Sequence, residues 1–183
     1  MPGTDNREMP GFRSLRMSIL VRLAARDDLP LITEIYNQAI QLRSATADMS
    51  PVSVTEREAW LAGHSREKYP VFVADIGGAV VGYCSLSAYR PGREALRYTA
   101  EISYFVHQDH RGSGVASQLI QHAIDQCPRL DIKSLFAILL DVNEASVRVL
   151  DKFGFQKWGH MPSVADFEGN ECGHLYYGLR VVR

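Results

Sequence analysis

The chain has 183 residues, 46% of them hydrophobic and 22% charged, with a formal net charge of -1. That size and balance describe one globular domain, able to bury about two-thirds of its unfolded surface. The near-neutral charge excludes a sequence-independent grip on nucleic acid, which needs a basic surface. No apolar run approaches the ~20 residues of a membrane span.

Residues 1–17 carry Arg7, Arg13 and Arg16 but no apolar core, so they read as a flexible N-terminal extension and not a secretory signal. The folded domain is expected over 18–183. Cys84, Cys127 and Cys172 are scattered and odd in number, which suits a reducing cytoplasm. A first strand is expected over Ser18–Leu23. A helix follows, capped by Asp27 and Asp28, with Pro30 in its first turn and Ile32, Ile35, Tyr36, Ala39 and Ile40 on one face. The polar stretch Arg43–Ser53 leads to a second helix from Val54 or Thr55, carrying Trp60 and Leu61. Val71–Ala74 and Val80–Leu86 form a hairpin around Gly77-Gly78. Arg90–Arg93 is a loop and Leu96–Val106 a long central strand. On that strand Ala100, Ile102, Tyr104 and Val106 share one face, and Thr99, Glu101, Ser103 and Phe105 the other. A helix then buries Ala116, Leu119, Ile120, Ala123, Ile124 and Cys127, ending at Pro128. Ile132–Leu140 is a buried strand. Asn143 opens another helix through Val147, Leu150 and Phe153, which Gly154 closes. Phe155–His160 and Gly173–Val182 are the last strands, with a polar loop, Pro162–Cys172, between them. The order predicts an α/β domain around a mixed sheet.

The stretch between the central strand and the third helix, Arg111-Gly112-Ser113-Gly114-Val115-Ala116, carries the chemistry. Main-chain N–H groups at a helix start are unpaired and the helix dipole adds positive charge, so a glycine-rich entry makes an anion cradle. Arg111 adds a charged contact to phosphate. The glycine spacing is not that of a dinucleotide-binding first turn, and no acidic partner follows a next strand ~20 residues on, so coenzyme A fits better than a dinucleotide.

These residues, with Asn143-Glu144-Ala145-Ser146 and Phe153-Gly154-Phe155 after them, resemble the GNAT superfamily of N-acetyltransferases, whose loop pattern is matched at Arg111, Gly114 and Ala116. Ile35-Tyr36-Asn37, Thr55-Glu56-Arg57-Glu58-Ala59-Trp60, Arg97-Tyr98-Thr99-Ala100-Glu101 and Val106-His107 resemble its phosphinothricin and methionine sulfone acetyltransferase branch. The resemblance implies a single-domain acyl-CoA N-acyltransferase fold, with a mixed, mostly antiparallel sheet, flanking helices and a central strand that splays from its neighbour. It implies acetyl-CoA as co-substrate and no metal. Tyr104, Phe105 and Val106 then hold the pantetheine arm, residues 111–116 the pyrophosphate, and Asn143 and Ser146 add contacts. The Val106 N–H polarises the thioester carbonyl. Glu101 is the general base that takes the ammonium proton, directly or through water. His107 and His110 flank the loop as relay candidates or as plain turn residues.

Arg90 and Arg97 suit the carboxylate of an amino-acid-like acceptor, since a guanidinium forks onto a carboxylate. Tyr36, Ile102 and Ser103 complete the expected acceptor pocket, near Asn37 and Thr46. Leu150 stands where many relatives carry the Tyr or His acid that reprotonates the thiolate. Water, or Tyr176 or Tyr177, is left for that role. The branch is commonly homodimeric, with Leu175, Tyr176 and Tyr177 as candidate contacts. The alternatives are an acetyltransferase for a polyamine or a protein N-terminus, or a non-catalytic acyl-CoA-binding domain.

Overall fold

The computed structural model describes residues 18–181; the expected N-terminal extension lies outside the described residues. Strand β1 (Leu20–Leu23) leads through a 3₁₀ turn to α1 (Leu29–Gln41). Asp28 precedes α1, but contrary to the expectation from sequence its side chain does not cap the helix. Its carboxylate instead takes the Ala25 N–H and a two-pronged bond from Arg22 at 2.8 and 2.9 Å. Burial alone would push the Asp28 carboxyl up, but the Arg22 fork, the Ala25 amide and the Arg22 charge outweigh it and hold it below the usual carboxylate range. Helix α2 (Val54–Ala62) starts at a reciprocal box in which Ser53 Oγ accepts from Glu56 N–H and Glu56 Oε2 accepts from Ser53 N–H.

Strands β2 (Val71–Ile76), β3 (Ala79–Ala88) and β4 (Thr99–Val106) form an antiparallel meander. The central strand begins later than expected, because Glu94–Leu96 close a 3₁₀ turn first. Helix α3 (Val115–Gln126), β5 (Ser134–Leu140), α4 (Glu144–Lys152), β6 (Gln156–Phe167) and β7 (Asn170–Arg180) follow. The seven strands run in the order β1-β2-β3-β4-β5-β7-β6, and only β4 and β5 are parallel.

The polar stretch Pro162–Cys172 is not a loop. It forms the far half of the β6–β7 hairpin, which turns at Glu168-Gly169. Almost all of β6 is exposed, so its sequence carries no inside–outside alternation, yet its main chain is paired. Leu175 and Tyr177 are buried in the core and not available as interface residues; the exposed apolar side chains here are Trp158, Met161 and Val164.

Two apolar clusters flank the sheet. One packs Ala100, Ile102, Leu119, Ile120, Ala123 and Leu150 on the α3–α4 side; the other packs Ile32, Ile35, Val73 and Tyr83 under α1, with Phe105 against it. The two faces of β4 therefore serve different cores, as its alternation predicts. Val115 replaces Ala116 on the buried stripe of α3. Gly82 allows that close approach: a Cβ there would lie 2.8 Å from Val115 Cγ1 and 3.0 Å from the Phe105 carbonyl oxygen. Among the described residues no helix is long and apolar enough to cross a membrane.

Candidate active site

The site begins where the sheet comes apart. Strands β4 and β5 share three rungs, Thr99 with Ser134, Ala100 with Leu135 and Glu101 with Phe136, and then diverge. Beyond Glu101, β4 stays bonded to β3, and β5 stays bonded to β7. The Tyr98 carbonyl accepts from Lys133 N–H at 2.8 Å on the β5 side, whereas His107 N–H donates to Val81 at 2.9 Å on the β3 side. Main-chain direction alternates along a strand, so even-numbered residues of β4 face β5. Past the last rung, Tyr104 and Val106 therefore turn their N–H groups into an open wedge.

The wedge runs into the N-terminus of α3. Gly114 precedes the helix at φ 90°, a backbone that a side chain strains, and no side chain caps the helix. A Cβ on Gly112 or Gly114 would meet nothing within 4 Å, so the loop faces open space. The open, uncapped helix start coincides with residues 111–116, where the sequence leads one to expect an anion cradle. Asn143, whose Oδ1 accepts from Ser146 N–H at 3.1 Å, caps α4 on the opposite wall.

A cavity of about 750 Å³ fills this region, lined by Tyr104, Val106, Gly112, Gly114, Ala116, Asn143 and Ser146. Arg111, Arg148 and Lys152 also line it and give it a cationic rim; the last two went unremarked in the sequence because helix-surface cations look alike there. Ser113 is turned away, its hydroxyl donating to the His110 carbonyl. Leu150 is fully buried in the cavity wall. Tyr176 donates its hydroxyl to Met161 Sδ and Tyr177 lies in the core, so neither reaches the cavity. Its phenol is Tyr104, whose hydroxyl lies 3.5 Å from the Ser146 carbonyl and whose pKa burial pushes up to about 12.

A second cavity, about 360 Å³, lies on the α1–α2 side and shares Ala45, Ser103, Phe105, Ile138 and Leu139 with the first. The two therefore meet across the wedge. Glu101 lines the second cavity, half-buried, and burial raises its carboxyl above the usual range. Tyr36 also lines it, its hydroxyl bonded to Thr46 and Asp48. Ser103 belongs to both cavities, whereas the Ile102 side chain belongs to the α3-side core and the larger cavity alone.

Arg90 and Arg97 line neither cavity. Arg90 is exposed in the loop after β3, and Arg97 stacks on Tyr98, its guanidinium carbon 4.2 Å from the ring centre and Nη2 bonded to the Tyr98 hydroxyl. The arginine that lines the smaller cavity is instead Arg57, from α2. His107 packs near Glu34 and Asp109, about 20 Å of strand from Glu101, and cannot relay its proton. His110 stands at the rim of the larger cavity. Among the described residues no cluster of three His, Cys, Asp or Glu side chains could hold a metal.

The uncapped helix, the unpaired strand amides and the cationic rim fit a long, anionic, amide-bearing ligand such as acetyl-CoA. A family model described as Acetyltransferase (GNAT) family matches residues 32–155. The chain belongs to the GNAT acetyltransferase family. It is an N-acetyltransferase with acetyl-CoA as co-substrate. Among GNAT relatives, it is 37% identical to an L-methionine sulfoximine/L-methionine sulfone acetyltransferase of Pseudomonas paraeruginosa over 81% of this chain and 86% of that one. It is 32% identical to a phosphinothricin N-acetyltransferase of Alcaligenes faecalis, over 87% and 81% of the two chains. The crystal structure of a GNAT phosphinothricin acetyltransferase from Sinorhizobium meliloti in complex with acetyl-CoA superposes with a TM-score of 0.84 at 28% identity, covering 90% of this chain and 89% of that one.

Proposed function

We propose that this protein acetylates the primary amine of a small amino-acid-like acceptor by direct attack within a ternary complex. The observation that carries the reading is the pair of cavities meeting at Ser103, Phe105, Ile138 and Leu139, one built for acetyl-CoA and one bearing Glu101. Acetyl-CoA supplies an acetyl thioester. The amides of residues 112–116, with Arg111, hold its diphosphate, and the wedge amides of Tyr104 and Val106 hold its arm. Val106 N–H donates to the position where negative charge develops on the carbonyl oxygen; one such donor is worth about 10²–10³ in rate. Glu101 takes the proton that the attacking ammonium must lose, and its raised pKa makes it a better base near neutral pH.

No cysteine supports a covalent acyl-enzyme. Cys84 and Cys127 are buried among apolar side chains, and burial pushes the thiols of Cys84, Cys127 and Cys172 up, the reverse of an activated nucleophile. The names of the relatives support methionine sulfone or phosphinothricin as the type of acceptor. A polyamine pocket needs several acidic side chains, whereas Glu101 is the acidic residue lining the smaller cavity among the described residues. We place the enzyme in the cytoplasm as a homodimer, with the exposed Trp158, Met161 and Val164 of β6 as a contact face that sedimentation would test.

Thiol release from acetyl-CoA in the presence of L-methionine sulfone, L-phosphinothricin, spermidine and an N-terminal peptide tests the reading. Turnover with the amino acids, lowered about 10²–10⁴-fold in Glu101→Gln while acetyl-CoA affinity is retained, supports it. Turnover confined to spermidine or the peptide, or a Glu101→Gln enzyme of wild-type activity, contradicts it.

A further inference from the structure

Helix α2 reads on its surface as a run of charges, Glu56-Arg57-Glu58, yet the middle one points inward. Arg57 is 7% exposed. Its guanidinium lies over the Tyr36 ring at 3.9 Å and the Trp60 ring at 4.3 Å, and Nη2 donates to the Tyr83 hydroxyl at 2.6 Å. Every one of these partners is neutral. Among the described residues no carboxylate lies within ion-pair distance of Arg57, and its buried Nε has no hydrogen-bond partner at all. A guanidinium taken out of water normally carries a counter-charge, because burying it unpaired is costly. The aromatic faces offset part of that cost and fix the plane of the fork, but they leave the charge without an anion and Nε without a partner.

Arg57 lines the smaller cavity, which also holds Glu101. Tyr83, which anchors Arg57, pairs with Phe105, and Glu101 pairs with Ser87 on the same face of the sheet. The two charges thus enter one cavity from anchor points four residues apart along the strands, about 13 Å. One cavity thus holds both the Glu101 carboxyl and a rigid cation that lacks an anion.

We propose that Arg57 is the specificity-determining residue of the acceptor pocket, holding an oxyanion of the substrate while Glu101 receives its ammonium. The proposal rests on the acetyltransfer reading above and adds to it the chemical class of the acceptor: an amine that carries an oxyanion, which a polyamine or the N-terminus of a long peptide does not offer. The oxyanion has two possible sources, the α-carboxylate of an amino acid or an acidic group on its side chain. A guanidinium fork serves either.

The test measures kcat and KM for L-methionine sulfone, its carboxamide and L-phosphinothricin in wild type and Arg57→Gln. Loss of hydrogen bonds to a charged group predicts a fall of about 10–100-fold in kcat/KM, carried mainly by KM. If Arg57 reads the α-carboxylate, methionine sulfone falls and its carboxamide stays within about twofold. If it reads the side chain, phosphinothricin falls and methionine sulfone does not. An equal fall for all three, the pattern of a merely structural arginine, overturns the proposal; so does no fall for any. Arg57→Lys keeps a stacked cation without the fork and gives the same ordering with a smaller loss, which covers the case in which Arg57→Gln fails to fold. Calorimetric binding of methionine sulfone and phosphinothricin to the protein loaded with coenzyme A is independent of turnover. Binding lost in the variant upholds Arg57 even where no amine is acetylated and the catalytic reading fails; unchanged or absent binding refutes it.

Discussion

Gly114 and Gly78 make a matched pair. Both have left-handed backbones, φ 90° and 91°, and a Cβ on either would touch nothing within 4 Å. Alanine in that backbone region costs about 1–2 kcal/mol relative to glycine. A domain of this size loses about 2–4 °C of Tm per kcal/mol, so each substitution lowers Tm by roughly 2–8 °C. The positions differ only in what faces them. Gly78 turns the β2–β3 hairpin, its N–H bonded to Asp75 Oδ1, while Gly114 lines the large cavity at the start of α3. On the proposed reading the diphosphate occupies the open space beside Gly114, so a methyl there is expected to displace phosphate from the helix amides. Losing one charge-assisted hydrogen bond costs about 1.5–3 kcal/mol, or at least tenfold in affinity. Titration calorimetry with acetyl-CoA, beside scanning calorimetry for Tm, reads both effects. Gly114→Ala is expected to bind at least tenfold more weakly and Gly78→Ala as wild type, at similar Tm. Wild-type affinity in Gly114→Ala with the expected fall in Tm, or equal weakening in Gly78→Ala, refutes the cradle.

Two further outcomes follow from the charges. At saturating acetyl-CoA, kcat/KM for the acceptor is expected to fall with pH through an acid limb whose midpoint lies above the ordinary Glu value of about 4.3, because burial raises Glu101 and only its ionised form accepts a proton; an identical limb in Glu101→Gln would assign it elsewhere. Asp28 is held low by Arg22, so this pair contributes stability above the unfolded Asp value of about 3.9, and the contribution is lost as pH falls through the lower folded value. Asp28→Asn should cost about 2 kcal/mol in urea unfolding at pH 7 and much less at pH 3.

Much of this was legible in the chain because the signals are local. The alternation over 99–106, the glycines before Val115 and the 3.6-residue stripes of α1 and α3 each act within one element, and the structure keeps them. The far half of the β6–β7 hairpin was not legible, because an exposed strand is held by main-chain pairing that leaves no trace in side-chain polarity. The acceptor side failed for a related reason. Arg90 and Arg97 were near Glu101 in sequence but project away from the cavity, and Arg57 is distant in sequence but folds into it. A buried arginine within Glu56-Arg57-Glu58 looks like a solvated one until Tyr36, Trp60 and Tyr83 are seen to surround it. The only sequence signal was that the stretch around it matched the branch.

The most direct test of the account is amide hydrogen exchange of the protein with and without acetyl-CoA. Among the described residues the amides of Tyr104, Val106, Gly112 and residues 114–116 have no hydrogen-bond partner in the wedge and cradle, so bound acetyl-CoA is predicted to slow their exchange, leaving β1 and β2 unchanged. Saturation with acetyl-CoA that leaves Tyr104 and Val106 exchanging as before, while amides elsewhere become protected, would contradict the account at its base.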